Sequence, residues 1–202
     1  MGKPPLGGRV KTRLSRDIGA GPAAAFYRQS VSRLLNRLNT DPRWSLRLAV
    51  NASPTEGYSC WPQPIVRIRQ GEGGLGDRMA FAMDQAPKGP VVVIGTDSPQ
   101  VEPNHIAQAF AALGQHDAVF GPADDGGYWL VGLNRRRAMP RLFEGVRWST
   151  EHALEDTVAS LPTGASVTRL GVLTDVDTGE DLRALWAAHG TLRFGPWAPP
   201  HP

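Results

Sequence analysis

Three short acidic segments and one basic segment hold the side chains of this sequence best suited to chemistry. The first acid is Asp97. It comes two residues after Val91-Val92-Val93-Ile94, a continuous β-branched run that suits a parallel strand buried on both faces. Pro99 keeps that strand from running on. A carboxylate placed there stands where open α/β sheets bind ligands, outside the carboxyl ends of the strands. The plainer alternative is an aspartate that caps its own turn, as Asp often does.

The second acidic segment is Asp175-Val176-Asp177-Thr178, which follows one strand candidate and precedes a helix. In extended chain Asp175 and Asp177 fall on the same side. A hard cation such as Mg²⁺ asks for one or two carboxylates and keeps water and ligand phosphates for its other positions, so Asp97 with Asp177 would suffice. Asp177 can equally be an acid favoured by a helix N-terminus. The third segment, Asp124-Asp125-Gly126-Gly127-Tyr128-Trp129, joins two acids, two glycines and two aromatics between strand candidates. Asp124 or Asp125 can serve as a base, and the glycines let backbone approach a ligand. A tight hairpin with partly buried aromatics needs the same residues. Downstream, Trp148-Ser149-Thr150 places hydroxyls at a helix start, where anions or sugar hydroxyls bind.

The basic segment spans residues 7 to 13, with Gly7, Gly8, Arg9, Lys11 and Arg13. It is not a P-loop, because no glycine stands immediately before Lys11 and no strand leads into it. Its glycines and cations can nonetheless wrap a diphosphate through charge and backbone amides. The charge distribution agrees. Residues 1 to 47 carry ten Lys/Arg against Asp17 and Asp41, while the rest of the chain is net negative within an overall +3. Solvated helix faces in an Arg-heavy composition are the bland account of this front. A pI near 9.4 keeps nucleic acid in view, but the acidic later segments would repel a long polyanion.

Gly71, Gly73 and Gly76 match the dinucleotide pattern G-x-G-x-x-G and open a helix candidate, with Asp97 about 20 residues on. Against a nicotinamide site, the strand before them carries Arg67 and Arg69 where a buried first strand should be apolar. The lone Cys60 excludes an internal disulfide and a thiol pair. His105, His116, His152 and His189 lack metal-ligand spacing.

Positioning these groups falls to alternating strands and helices. Helices are expected from Pro22 to Leu38, Leu75 to Ala86, Pro103 to Leu113, Ser149 or Thr150 to about Ser160, and from a Thr178 cap with Asp181 to Ala188. Strands are expected at 45–51, 64–69, 91–94, 118–120, 128–133 and 166–173. That order implies an α/β sandwich with a mostly parallel sheet. At 202 residues the chain reads as one domain over 1–189 with a Pro-rich loose tail at 190–202. No apolar run is long enough to span a bilayer and no signal peptide is visible, which points to the cytoplasm.

In combination, six ordered motifs resemble one family. They are Lys3-Pro4-Pro5 through Lys11-Thr12-Arg13-Leu14, the run Gly74-Leu75-Gly76-Asp77-Arg78-Met79, Gly95 to Pro99, Gly121 to Tyr128, Trp148-Ser149-Thr150 and Asp175 to Thr178. The resemblance is to the DUF2064 group of glycosyltransferase-A-like proteins. That group is assigned to nucleotide-diphospho-sugar or arsenosugar-pathway glycosyl transfer and is related to molybdenum-cofactor and phospholactate guanylyltransferases. It implies a three-layer α/β/α sandwich of the nucleotide-diphospho-sugar transferase-like kind and a Mg²⁺ or Mn²⁺ ion on Asp97 and Asp177. Lys3, Arg9, Lys11 and Arg13 would face phosphates, and Gly74, Gly76 and Arg78 would lie by the nucleoside. Gly126, Gly127, Tyr128, Trp148, Ser149 and Thr150 would border the acceptor, with Asp97, Asp124 and Asp125 catalytic.

The resemblance also implies an apolar strand ahead of the Lys-Pro loop. Only Met1 and Gly2 precede Lys3, so the sheet is expected to lack its usual first strand, through a start site assigned too late or a shortened chain. The activity expected is metal-dependent sugar transfer from a nucleoside diphosphate to a hydroxyl on a small-molecule acceptor, with no membrane partner. The rivals are nucleotidyl transfer with release of pyrophosphate, a non-catalytic nucleotide-binding module, and the dehydrogenase.

Overall fold

A computed structural model describes residues 1–5, 8–51, 61, 64–136, 138 and 142–188. The tail at 190–202, Cys60 and His189 lie outside the described residues. The first helix, α1 (Thr12–Ile18), starts inside the basic segment that sequence reading took for a loop. Gly19 separates it from α2 (Ala20–Asn39), whose buried Tyr27, Val31, Leu34, Leu35 and Leu38 form the apolar stripe that the periodicity predicted. The remaining order is β1 (Arg47–Val50), β2 (Val66–Arg69), α3 (Leu75–Asp84), β3 (Val91–Ile94), α4 (Pro103–Leu113), β4 (Ala118–Pro122), β5 (Tyr128–Leu133), α5 (Ala153–Ala159), β6 (Val167–Arg169) and α6 (Gly179–Ala188).

The strands form a two-stranded sheet, β1-β2, and a four-stranded sheet in the order β3-β5-β4-β6. Pairing is parallel except along β5, which runs against both β3 and β4. On one face of the larger sheet, Phe120, Val131 and Leu133 pack with Met79 and Met83 of α3 and Leu154 of α5. The other face packs Val119, Trp129 and Leu130 against α4 and the end of α2. Helices therefore cover both faces, and the three-layer sandwich follows. Among the described residues no helix is long and apolar enough to cross a membrane.

No strand among the described residues joins β1 to β3. Met1 and Gly2 connect the two sheets. Gly2 bridges Val50 in parallel, its amide donating to the Ala49 carbonyl at 3.0 Å. The Met1 ammonium donates to the Ile94 carbonyl at 2.6 Å. Burial pushes that ammonium down to about 6, although Asp97 pulls the other way.

Gly121 and Gly126 are required by packing. A Cβ on Gly121 would lie inside the Trp129 indole, and one on Gly126 would lie inside the Glu151 backbone. Gly126 also has φ +83, which L residues adopt at a cost, and its carbonyl accepts from the Leu154 amide at 3.0 Å. The β4–β5 turn is thus seated on the start of α5. Gly126→Ala should destabilise the protein by about 2–4 kcal/mol from overpacking and strain, lowering Tm by roughly 5–15 °C. Calorimetry checks this, and an unchanged Tm would mean that the turn does not sit against Glu151.

Candidate functional site

The register of the larger sheet fixes which loops share a rim. Ile94 of β3 and Gly121 of β4 both pair with Leu130 of β5, so the end of β3, the end of β4 and the start of β5 lie side by side. Ala123 then bridges Leu173 in parallel, which carries the chain after β6 to the same rim. The Val176 amide donates to the Asp97 carbonyl at 3.1 Å. The loop after β3 and the segment 175–177 are therefore locked together by backbone.

Across this rim Lys11 joins the two acids. Its ammonium forms ion pairs with Asp97 and, at 2.9 Å, with Oδ1 of Asp177. The lysine side chain is 4% exposed, whereas the carboxylates are 45% and 46% exposed. Lys11 caps α1 with φ 48 and ψ 49, a left-handed conformation that costs a non-glycine residue roughly 1–3 kcal/mol. The strained backbone feeds the ammonium inward. Burial works against its charge, but the two carboxylates outweigh burial and hold its pKa above the ordinary value. Arg13, two residues further on and exposed, stands 3.8 Å from Oδ2 of Asp177.

Asp177 is held in place by the start of α6. The Asp181 carboxylate accepts from the Thr178 amide at 2.7 Å and the Asp177 amide at 3.0 Å, while Thr178 Oγ1 accepts from the Asp181 amide at 3.2 Å. This is the reciprocal cap that the sequence predicted. Asp17 of α1 accepts from the Gly179 amide at 2.7 Å, tying α1 to the same helix end.

Sequence reasoning gave no role of their own to two contributors. Ser98 Oγ donates to Asp175 at 2.5 Å, and burial pushes that carboxyl up to about 6. Tyr27 counted only as an apolar position on a helix stripe. Its hydroxyl in fact lies 3.1 Å from Thr96 Oγ1, accepts from the Lys3 amide at 3.1 Å and reaches the Lys3 carbonyl at 3.2 Å. It therefore pins the N-terminal segment beside Asp97. No spacing rule could flag that contact, since it links residues 69 positions apart.

The other expected residues fall into two groups. Lys3 and Arg9 are exposed on the segment leading to α1. Asp124 and Asp125 are exposed at the same rim, but Asp125 Oδ1 accepts from the Gly127 amide at 2.9 Å, so it also closes its own turn. Gly74, Gly76 and Arg78 open α3, where Arg78 Nε donates to the Gly74 carbonyl at 3.2 Å. A Cβ on Gly76 would meet Phe143 at 2.6 Å and Trp148 at 3.0 Å, which gives that glycine a packing duty. Trp148 lies edge-on to Tyr128, and the Tyr128 hydroxyl accepts from Thr157 Oγ1 at 3.3 Å.

Two expectations are corrected. Ser149 and Thr150 do not cap α5, which begins at Ala153 after His152; Ser149 has φ 60, and Thr150 Oγ1 instead donates to the Arg147 carbonyl at 2.7 Å. The glycines at 71, 73 and 76 follow β2, paired only with β1 in the small sheet, rather than a central first strand, so the dinucleotide fingerprint lacks its structural context.

Asp97 and Asp177 thus share one cation at the strand rim. Two carboxylates already gripping an ammonium are a donor set that suits Mg²⁺ or Mn²⁺, which would draw its remaining ligands from water and phosphate. Among the described residues no group of three or more His, Cys, Asp or Glu could hold a metal by itself.

Fold and site together define a protein of the glycosyltransferase-A-like class. The chain belongs to the DUF2064 family, described as an uncharacterized protein conserved in bacteria, whose pattern matches residues 34–150. A crystal structure from Desulfovibrio desulfuricans G20, described as a "putative nucleotide-diphospho-sugar transferase", is 30% identical. It aligns with TM-score 0.83 over 96% of this chain and 87% of that one. More distant structures share the fold. Rv0371C from Mycobacterium tuberculosis H37Rv, in complex with manganese, is 18% identical with TM-score 0.50 over 79% of this chain and 86% of that one. The 4-diphosphocytidyl-2C-methyl-D-erythritol synthase from Anaerococcus prevotii DSM 20548 is 10% identical with TM-score 0.54, over 82% and 89%. No curated protein matches the chain.

The raised Asp175 carboxyl gives a pH signature. Its folded pKa of about 6 exceeds the ordinary 3.8, so its contribution to stability is present in full below about pH 4 and is lost as pH rises through 6. Asp175→Asn keeps a neutral side chain at every pH. Melting curves should therefore show the variant gaining on the wild type between pH 4 and pH 7; a constant gap would refute the shift.

Proposed function

We propose that this protein is a metal-dependent transferase that moves a sugar from a nucleoside diphosphate to a hydroxyl on a small-molecule acceptor. The observation that carries this reading is the convergence of Asp97 and Asp177 on the Lys11 ammonium, with Arg13 beside Asp177. The description of the Desulfovibrio relative supports the donor class, and the manganese complex of Rv0371C supports a divalent ion.

In this reading Asp97 and Asp177 hold Mg²⁺ or Mn²⁺ at the sheet rim. Bound there, the ion supplies charge neutralisation to the leaving diphosphate. Lys11 and Arg13 add positive charge to the same phosphates, with Lys3 and Arg9 along the entry. Gly74, Gly76 and Arg78 border the nucleoside. Across the rim, Gly126, Gly127, Tyr128 and the segment Trp148-Ser149-Thr150 line the acceptor side, where aromatic faces suit a sugar or ring. Asp124 or Asp125, both exposed, accepts the acceptor's proton.

The test is a thermal-shift panel of nucleotides and nucleotide sugars with Mg²⁺ or Mn²⁺, followed by turnover with acceptor mixtures. Donor hydrolysis or transfer should depend on the ion, and Asp97→Asn should lose it by at least about 100-fold while its far-UV spectrum stays native. Full activity in that variant removes Asp97 from the mechanism. Release of pyrophosphate from a nucleoside triphosphate would replace sugar transfer by nucleotidyl transfer.

A further inference from the structure

We propose that Lys11 is the resident counter-ion of the Asp97–Asp177 pair, standing where a divalent ion binds on loading, and that its ammonium passes to the donor's diphosphate as that ion enters. The proposal rests on the reading of Asp97 and Asp177 as metal ligands.

Three observations carry it. The first is position. The Lys11 ammonium is bonded to both carboxylates at once, so it lies between the oxygens that a shared cation would use. The second is access. Lys11 is 4% exposed while each carboxylate is close to half exposed, so an ion and its phosphate partner approach from solvent on the side away from the lysine stem. The third is anchorage. The Lys11 carbonyl accepts from the Ser15 amide at 2.8 Å and from Ser15 Oγ at 3.0 Å, which fixes the backbone at the head of α1. Movement is thereby confined to the four-carbon side chain.

Charge decides what happens on loading. The pair carries two negative charges and Lys11 one positive, with exposed Arg13 further off at 3.8 Å from Asp177. A divalent ion neutralises the pair alone. An ammonium held at the same oxygens would then face a doubly charged neighbour at hydrogen-bond spacing, where water screens little. A diphosphate offers that ammonium a new partner. Ion and diphosphate should therefore help each other bind, and an ion alone should bind weakly because it must first evict Lys11.

Mn²⁺ binding followed by electron paramagnetic resonance, without nucleotide, tests this on the wild type, Lys11→Met and Lys11→Arg. Lys11→Met should bind Mn²⁺ about tenfold tighter than the wild type, within the usual range of coupling between sites, and Lys11→Arg no tighter. A second readout needs no variant. Acetylation of the wild type by acetic anhydride, read by mass spectrometry at Lys11, should be slow without Mn²⁺, faster with it, and slow again when UDP is added with Mn²⁺. Equal Mn²⁺ affinity in the wild type and Lys11→Met overturns the exchange and leaves the metal ligands standing. Absence of Mn²⁺ binding in every protein overturns both. Tighter binding by Lys11→Met with no change in Lys11 acetylation shows a lysine that only repels the ion from a fixed place, which also overturns the exchange.

Discussion

A single buried ammonium ties together the parts of this protein that face its rim. Lys11 comes from the head of α1, Asp97 from the loop after β3, and Asp177 from the segment before α6. Without the lysine, two carboxylates would be held at close range by a backbone bond between Val176 and Asp97 with no charge between them. Without the carboxylates, burying a lysine this deeply would drive off its proton. Each group makes the other tolerable, and the left-handed backbone at Lys11 is the conformational cost of bringing them together.

The rest of the N-terminal region serves the same junction. Leu14, Ala23 and Phe26 of the first two helices pack with Val176, Leu182 and Leu185 around α6, so an apolar cluster lies directly beneath the charged one. Tyr27 adds a polar tie from α2 to Thr96 and to the Lys3 backbone. Met1 and Gly2 join β1 to the end of β3 through hydrogen bonds of their main chain, and the Met1 side chain packs against the core of the larger sheet. The basic front is therefore not a loose cationic arm; its charges are placed by apolar contacts on one side and sheet hydrogen bonds on the other.

The opposite wall is built from glycine and aromatic rings. Gly76 lets Phe143 and Trp148 close over the start of α3, and Trp148 meets Tyr128 at the head of β5. Gly126 lets the turn after β4 rest on the residues that lead into α5. A motif with acids, glycines and aromatics can be taken for a binding loop in sequence. In three dimensions Gly126 of that motif also answers to packing, because the Glu151 carbonyl leaves no space for a Cβ.

By itself the sequence determined the layers, the acid after the buried strand, and the cap before α6. Those features rest on local chemistry, such as β-branched runs, helical periodicity and the Thr178–Asp181 pairing, which are visible within a few residues. It also singled out Asp97, Asp177 and Lys11, because residue type and nearby elements were enough to nominate them. It took residues 7 to 13 for a flexible loop, since the left-handed start of α1 at Lys11 has no propensity signal. It placed the α5 cap at Ser149 or Thr150, because a polar residue before an apolar run looks the same whether or not the chain turns once more. Only the tertiary structure decided that the lysine lies between the two acids, that Tyr27 and Ser98 support them, and that Gly76 and Gly126 are demanded by packing. Those are contacts between residues tens to more than a hundred positions apart, fixed by how strands register and helices stack, and no local pattern encodes them.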